Sequence, residues 1–507
     1  MSLTSRRKNL RPEHHERRWA ALAVLMLPVM LIAVDNTVLS FALPPISSDL
    51  EPTGTQLLWI VDIYSLVLAG LLVPMGSLGD RIGRRRLLLI GSTGFTVISI
   101  AAAFAPSAAW LIAARAAMGL FGSVLMPATL SLIRNIFVNP QERRRAIAIW
   151  ASGFSGGAAL GPIVGGFLLE HFTWGSVFLL AVPMLVPLLV FAPMLVPESK
   201  DPKPNRIDIP SIVLVMATMT PLVYGIKTVA SDGLRVDVVA CLIVAVIAGI
   251  WFVRRQLGRP DPMLDVRLFT NPAFSGAVSA NLLSVFSLVG FLYFVSQHLQ
   301  LISGMTPMQA GFVLIPGLAA TIIAGLTVVP LVRRFKPSHV VAGGLTLNAI
   351  GFAIMTFAGP AGSDLGLILA FVILGAGIGS AETISNDLIL SAVPAHKAGA
   401  ASAISETAYE SGAVLGTAVL GSILNAAYSA NVSVPSDVPA AARSTAQETL
   451  GGATEVASHL GGPAGAQLLE SARSAFDSGV ALTSGIGVVL MIFAAVMALR
   501  TLRDAES

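Results

Sequence analysis

Charge is what this sequence has least of: only 12% of its 507 residues are Asp, Glu, Lys or Arg, against about a quarter in a soluble protein. So few charges cannot cover a water-exposed surface of this size, and the mean hydropathy of +0.78 excludes a soluble domain. Cysteine is nearly absent. The single Cys241 lies inside an apolar stretch, which rules out an intrachain disulfide and a cysteine-based metal site and reads as a small buried apolar residue. No Gly-Lys pair occurs, so there is no phosphate-binding loop of that kind and no ATP-driven machinery built on one. Neither a metal nor a cofactor is expected, and no enzyme. The basic runs Arg84-Arg85-Arg86 and Arg143-Arg144-Arg145 lack interleaved aromatics and sit between apolar stretches, where no continuous nucleic-acid groove forms.

What the chain has instead is about fourteen apolar stretches of the roughly 20 residues that a hydrocarbon core demands. They are twice the length of a barrel strand and lack its alternation, so an all-α polytopic membrane protein is predicted. The first stretch, Trp19 to Leu43, is too long for the apolar region of a cleavable signal. Basic residues sort by side: 27 of the 32 fall with the termini and the loops on their side, and only Lys227, Arg235, Arg443 and Arg473 fall opposite. This asymmetry predicts that both termini are cytoplasmic, and it leaves Arg115 alone within the membrane.

The predicted layout is a cytoplasmic tail (1–18), a six-helix half (19–206), an inserted two-helix hairpin (207–253), a proline-rich cytoplasmic linker (254–273), a second six-helix half (274–500) and a tail (501–507). The inserted pair carries no internal acid and reads as accessory to any pathway. The Ala-, Gly- and Ser-rich segment 429–476 keeps a helical period on both sides of Gly461-Gly462-Pro463, predicting an extracellular helical hairpin before the last span at 477–499.

Charges inside the spans are informative because each costs at least about 2.5 to 3.5 kcal/mol at the bilayer centre. Asp35, Asp62 and Arg115 all fall in the outer half. For Asp62 and Arg115 the alternative is a buried structural ion pair, while Asp35 has more acids than bases near it. Glu406 and Glu410 share one helix face, about 12 and 18 Å from the cytoplasmic end. Two like charges there cannot both ionise comfortably, which suits them to exchange a proton for an organic cation. Glu382 adds a third acid in the inner half, whereas Asp387 reads as a solvated helix end. His298 reads as an interfacial histidine.

The loop from Gly76 through Asp80-Arg81-Ile82-Gly83-Arg84 resembles the cytoplasmic signature of the major facilitator superfamily. Arg115 in Ala113-Ala114-Arg115-Ala116 is similar to the superfamily's intramembrane arginine motif, implicated in proton coupling. Gly153, Gly157, Gly161-Pro162, Gly165 and Gly166 match the motif that marks antiporters within it, and they suit close helix packing equally well. Asp35-Asn36-Thr37 with Ala42-Leu43-Pro44, Trp59 through Tyr64, and Ser405 through Gly412 narrow the resemblance to the fourteen-span drug:proton antiporters.

The resemblance implies two six-helix halves plus two inserted spans, working as a monomer in the bacterial cytoplasmic membrane. It implies proton-coupled export of amphipathic, mainly cationic compounds: dyes, quaternary ammonium compounds and fluoroquinolone-like drugs. Export of an endogenous metabolite or lipid is the alternative. On this reading the partners are small-molecule drugs, protons and the lipid bilayer. Asp35, Arg115 and Glu406 couple protons, and Asp35, Asp62, Glu382, Glu406 and Glu410 contact substrate. Gly76, Asp80, Arg81, Gly83, Arg84, Gly157, Gly161, Pro162 and Gly165 govern conformation. Some members carry a carboxylate in the tenth span; none lies here between Gly311 and Leu331, which argues against strong handling of dicationic drugs.

Overall fold

The computed structural model describes residues 12–200, 208–260, 262–332, 334–358, 364–393, 398–436 and 438–503. The expected tails at 1–18 and 501–507 therefore fall partly outside the described residues. Among the described residues there is no strand. The chain opens with α1 (Pro12–Leu50), α2 (Gly54–Ile82), α3 (Arg84–Ala103), α4 (Ala108–Ile136) and α5 (Pro140–His171). Next, α6 (Ser176–Leu179) and α7 (Ala181–Leu195) together make one span. A hairpin of α8 (Ile209–Asp232) and α9 (Val236–Gly258) follows. Then come α10 (Pro272–Gln297), α11 (Pro307–Leu331), α12 (Pro337–Ala358), α13 (Asp364–Ser391) and α14 (Ala398–Gly416), which continues through a π-turn at Thr417–Gly421 into α15 (Ser422–Asn431). The short α16 (Ala440–Glu448) and α17 (Leu450–Leu460) precede the 40-residue α18 (Gly462–Thr501).

Thirteen of the described helices are long and apolar enough to cross a membrane. The 32-residue α5 packs against α1 in the same bundle, so fourteen spans is an approximate count. Helix starts are written in the sequence. Thr53-x-x-Gln56 and Thr306-x-x-Gln309 form reciprocal capping boxes at α2 and α11, satisfying amides that would otherwise face the membrane boundary unpaired.

Two apolar cores result, one from residues between Ala21 and Val196, the other chiefly from residues between Phe274 and Leu502. Arg17 donates to the Met194 carbonyl, and Thr501 packs at Gly276, so both described chain ends share one end of the bundle, the terminal end. At the opposite, far end the two bodies of helices touch directly. Gln300 donates to the Phe41 carbonyl at 3.1 Å, Asn425 to the Gly54 carbonyl at 3.1 Å, and Pro162 and Gly166 of α5 meet Gly311 and Met308 of α11.

Two expectations change. The segment at 429–476 does hold helices, but its second arm is continuous with the last span: Pro463 sits in the first turn of α18, where a missing N–H costs nothing. His298 is fully buried, 2.9 Å from Asp477 on α18, rather than interfacial. The α8–α9 pair sits between the bodies: α8 packs on α2 of the first and on α15 and the π-turn of the second.

The terminal end of that pair is pinned by Asp208, which receives Arg255 at 2.8 Å and Arg259 at 2.9 Å and hydrogen-bonds Ser211. Burial opposes ionisation of this carboxyl, but the bonds from Arg255 and Ser211 and the charges of Arg255 and Arg259 outweigh it and hold it below the ordinary carboxylate range. Its stabilisation is thus present above that range and lost as pH falls through the lowered value. Asp208→Asn should remove about 1.5 to 3 kcal/mol, read as a lower melting temperature in detergent at pH 7 that converges on the wild type in acid.

Candidate functional site

The intramembrane charges converge between the two bodies, but not as solitary groups. Arg115 on α4 bonds Asp35 on α1 at 2.7 Å, donates from Nε to the Ile60 carbonyl at 3.3 Å, and lies 4.4 Å from the centre of the Tyr64 ring. Its guanidinium is thereby satisfied on three sides, as a buried arginine must be. Gly119 permits this approach: a Cβ there would sit 2.6 Å from the Tyr64 carbonyl oxygen, pushing α4 off α2.

Glu410 on α14, 2% exposed, lies beside the Ser65 hydroxyl of α2 and within electrostatic reach of Arg115, Asp35 and Glu406. Acids of both bodies therefore share one field with one arginine. Glu406, half-buried one turn below, faces Glu382 of α13 instead, and Tyr409 lies within reach of all three glutamates. Asp387 is exposed, as expected of a helix end.

Asp62 differs from its expected surroundings. Its partner is Lys227 of α8, at 2.9 Å, and both side chains are essentially sealed, 1% and 0% exposed. Lys227 was counted above among the residues of the opposite loops; it is instead a second intramembrane cation, and Arg115 pairs with Asp35 rather than Asp62. The Lys227 ammonium also stands 4.1 Å over the Trp59 ring, and the Thr417 hydroxyl of the π-turn lies beside Asp62.

The glycines of α5 divide by face. A Cβ at Gly157 would lie 2.7 Å from the Met30 carbonyl oxygen, and one at Gly161 would strike the Thr37 hydroxyl. Gly165 faces Val38 at 3.1 Å, so this face lets α5 seat directly on α1. Pro162 meets Gly311 across the bodies.

At the terminal end Asp80 and Arg84 pair at 2.6 Å across Gly83, whose φ of +116° is a conformation that favours glycine. Arg81 is exposed, and Gly76 leaves ordinary contact with Pro127. The sequence reading missed Glu198, which accepts from the Arg85 and Arg86 amides at 3.0 and 3.1 Å and so caps α3 from the end of α7. It missed Lys227, Ser65, Tyr64 and Thr417 as well. Of these only Lys227 carried a usable signal, a charge within an apolar run.

Two helical bodies meeting along a seam of buried acids, with an arginine in the first, have the architecture of a membrane transporter. The sequence profile of the Major Facilitator Superfamily matches residues 25–417, and the chain belongs to that superfamily. It is 55% identical over 479 residues to the multidrug efflux pump LfrA of Mycolicibacterium smegmatis, covering 94% of this chain and 95% of that protein. It is 38% identical to the methyl viologen resistance protein SmvA of Salmonella typhimurium, covering 94% and 97%. In fold it resembles a bacterial homolog of the human lysosomal transporter Spinster in an inward-facing, unoccupied conformation, with a TM-score of 0.68 at 16% identity over 96% and 98% of the two chains.

Proposed function

We propose that the protein is a proton-coupled multidrug efflux antiporter that exports amphipathic, mainly cationic compounds across the bacterial cytoplasmic membrane by alternating access. The observation that carries this is the shared field of Asp35, Arg115 and Glu410, which brings buried carboxylates from both bodies to one place. A proton arriving there weakens the Asp35–Arg115 pair and discharges a bound cation; its loss on the other side restores the site. Glu406 and Glu382, near each other and half-buried, supply the attraction for a positively charged drug, and the apolar walls supply adaptable contact.

With the terminal end taken as cytoplasmic, the direct contacts at the far end fit an arrangement closed toward the outside. The layout then follows the boundaries given above, with 207–253 inserted between the halves and each chain acting as a monomer. Gly76, Asp80, Arg81, Gly83 and Arg84 brace the closed alternative, while Gly157, Gly161, Pro162 and Gly165 set how tightly the far end shuts. Every charge moved across 100 mV contributes about 2.3 kcal/mol, a concentration ratio of about fifty.

Everted vesicles given a fluorescent monocation such as ethidium test the reading. Uptake should follow an imposed proton gradient, collapse with a protonophore and vanish in Asp35→Asn. Gradient-independent uptake, or none for any cationic dye, refutes it.

A further inference from the structure

The Asp62 site has the composition of an organic-cation receptor. It offers a buried carboxylate, the face of Trp59 one helical turn away, and a partly buried apolar surround that includes Ile63, Met219 and Ile226. A quaternary ammonium group would seek that same pairing of an acid with an aromatic face. The site holds a cation already, at 2.9 Å from the acid and 4.1 Å from the ring centre, and that cation belongs to the protein.

Lys227 comes from the hairpin that neither core includes, on a helix that borders both. An ion pair required only to hold α2 in place could have been made within the first body, as Asp35 and Arg115 show. Supplied by an inserted segment, the lysine occupies a place that a ligand would otherwise take.

We infer that Lys227 is a specificity-determining residue: a tethered cation that fills the Asp62–Trp59 receptor and so denies it to the second charge of a dicationic substrate. The inference rests on the proposed export of cations. A monocation is served by the acids Glu382 and Glu406 and has no need of Asp62. A dication needs a second carboxylate, and the nearest candidate on α2 is neutralised by its own lysine. With no acid between Gly311 and Leu331, Asp62 is the remaining second carboxylate, and Lys227 keeps it occupied.

The test is equilibrium binding to the purified full-length protein, with tetraphenylphosphonium as monocation and methyl viologen as dication. Lys227→Met should improve the affinity for methyl viologen relative to tetraphenylphosphonium by at least about tenfold, and Lys227→Arg, which keeps the charge, should hold the wild-type ratio. Adding Asp62→Asn to Lys227→Met should erase the gain. An unchanged ratio in Lys227→Met overturns the inference while leaving export of monocations standing; failure of the wild-type protein to bind or transport either cation removes the underlying function instead. If Lys227→Met does not yield folded protein, purification in methyl viologen decides the matter. Recovery by the dication supports a vacated receptor. Recovery by Asp62→Asn alone, or by neither, shows a structural pair and overturns the inference.

Discussion

Arg115→Met is expected to abolish proton-driven dye uptake, by about a hundredfold or more, a loss of about 2.7 kcal/mol of transition-state stabilisation. The same change should cost about 3 to 5 kcal/mol of stability, because it strands a buried carboxylate. The two losses can be separated. In Asp35→Asn/Arg115→Met no charge is left unpaired at that position, so melting in detergent should return close to the wild type. Uptake should stay absent, since Glu410 alone has neither the partner carboxylate Asp35 nor the cation that competes with the proton. A double variant that transports would show that the pair serves the fold alone. Tyr64 sharpens the case: its ring lies against the guanidinium, so Tyr64→Leu should weaken transport less than either charge change, by the roughly 2 kcal/mol of a desolvated cation–π contact.

Gly157→Ala should give the second-largest effect. A single methyl there would sit 2.7 Å from the Met30 carbonyl oxygen and 2.9 Å from the Ala33 Cβ, and helix backbone cannot move aside locally as a side-chain tip can. Overpacking of this kind costs about 1 to 3 kcal/mol. The cost falls where α5, held against α1, also meets α11, so uptake should drop by about tenfold with the protein still inserted. Gly156→Ala is the control, because nothing lies within 4 Å of its added Cβ. Equal effects at the two adjacent positions would mean that helix propensity, not close approach, explains the loss.

The spans and their approximate number were legible because an apolar run of 20 residues has few other uses. The acids were legible because charge inside such a run is rare. Pairing was not. Asp35 and Arg115 lie 80 residues apart in the chain, and single-sequence periodicity says nothing about which helices touch. Lys227 was misplaced because its long stem, close to the end of an apolar run, reads like a lysine reaching for the interface. It reaches inward to Asp62 instead, which only the packing of α8 on α2 reveals. The break at Gly461-Gly462-Pro463 was visible, but not that the helix starting there would run on unbroken to Thr501.

The short helices at the far end give the contact between the two bodies a particular character. Glu448 accepts from the Gly54 amide at 3.0 Å, and the Ser47 and Thr449 hydroxyls meet at 2.9 Å. Each of these groups can hydrogen-bond water equally well, so parting them exchanges one partner for another at a net change of about 1 kcal/mol per bond. These polar contacts therefore set alignment more than strength, while Phe41, Leu43, Leu57 and Leu58 of the first body, buried among residues of the second, supply the apolar part of the closure. Any parting of the two bodies at this end therefore carries a cost of wetting those side chains in addition to the exchange of polar partners.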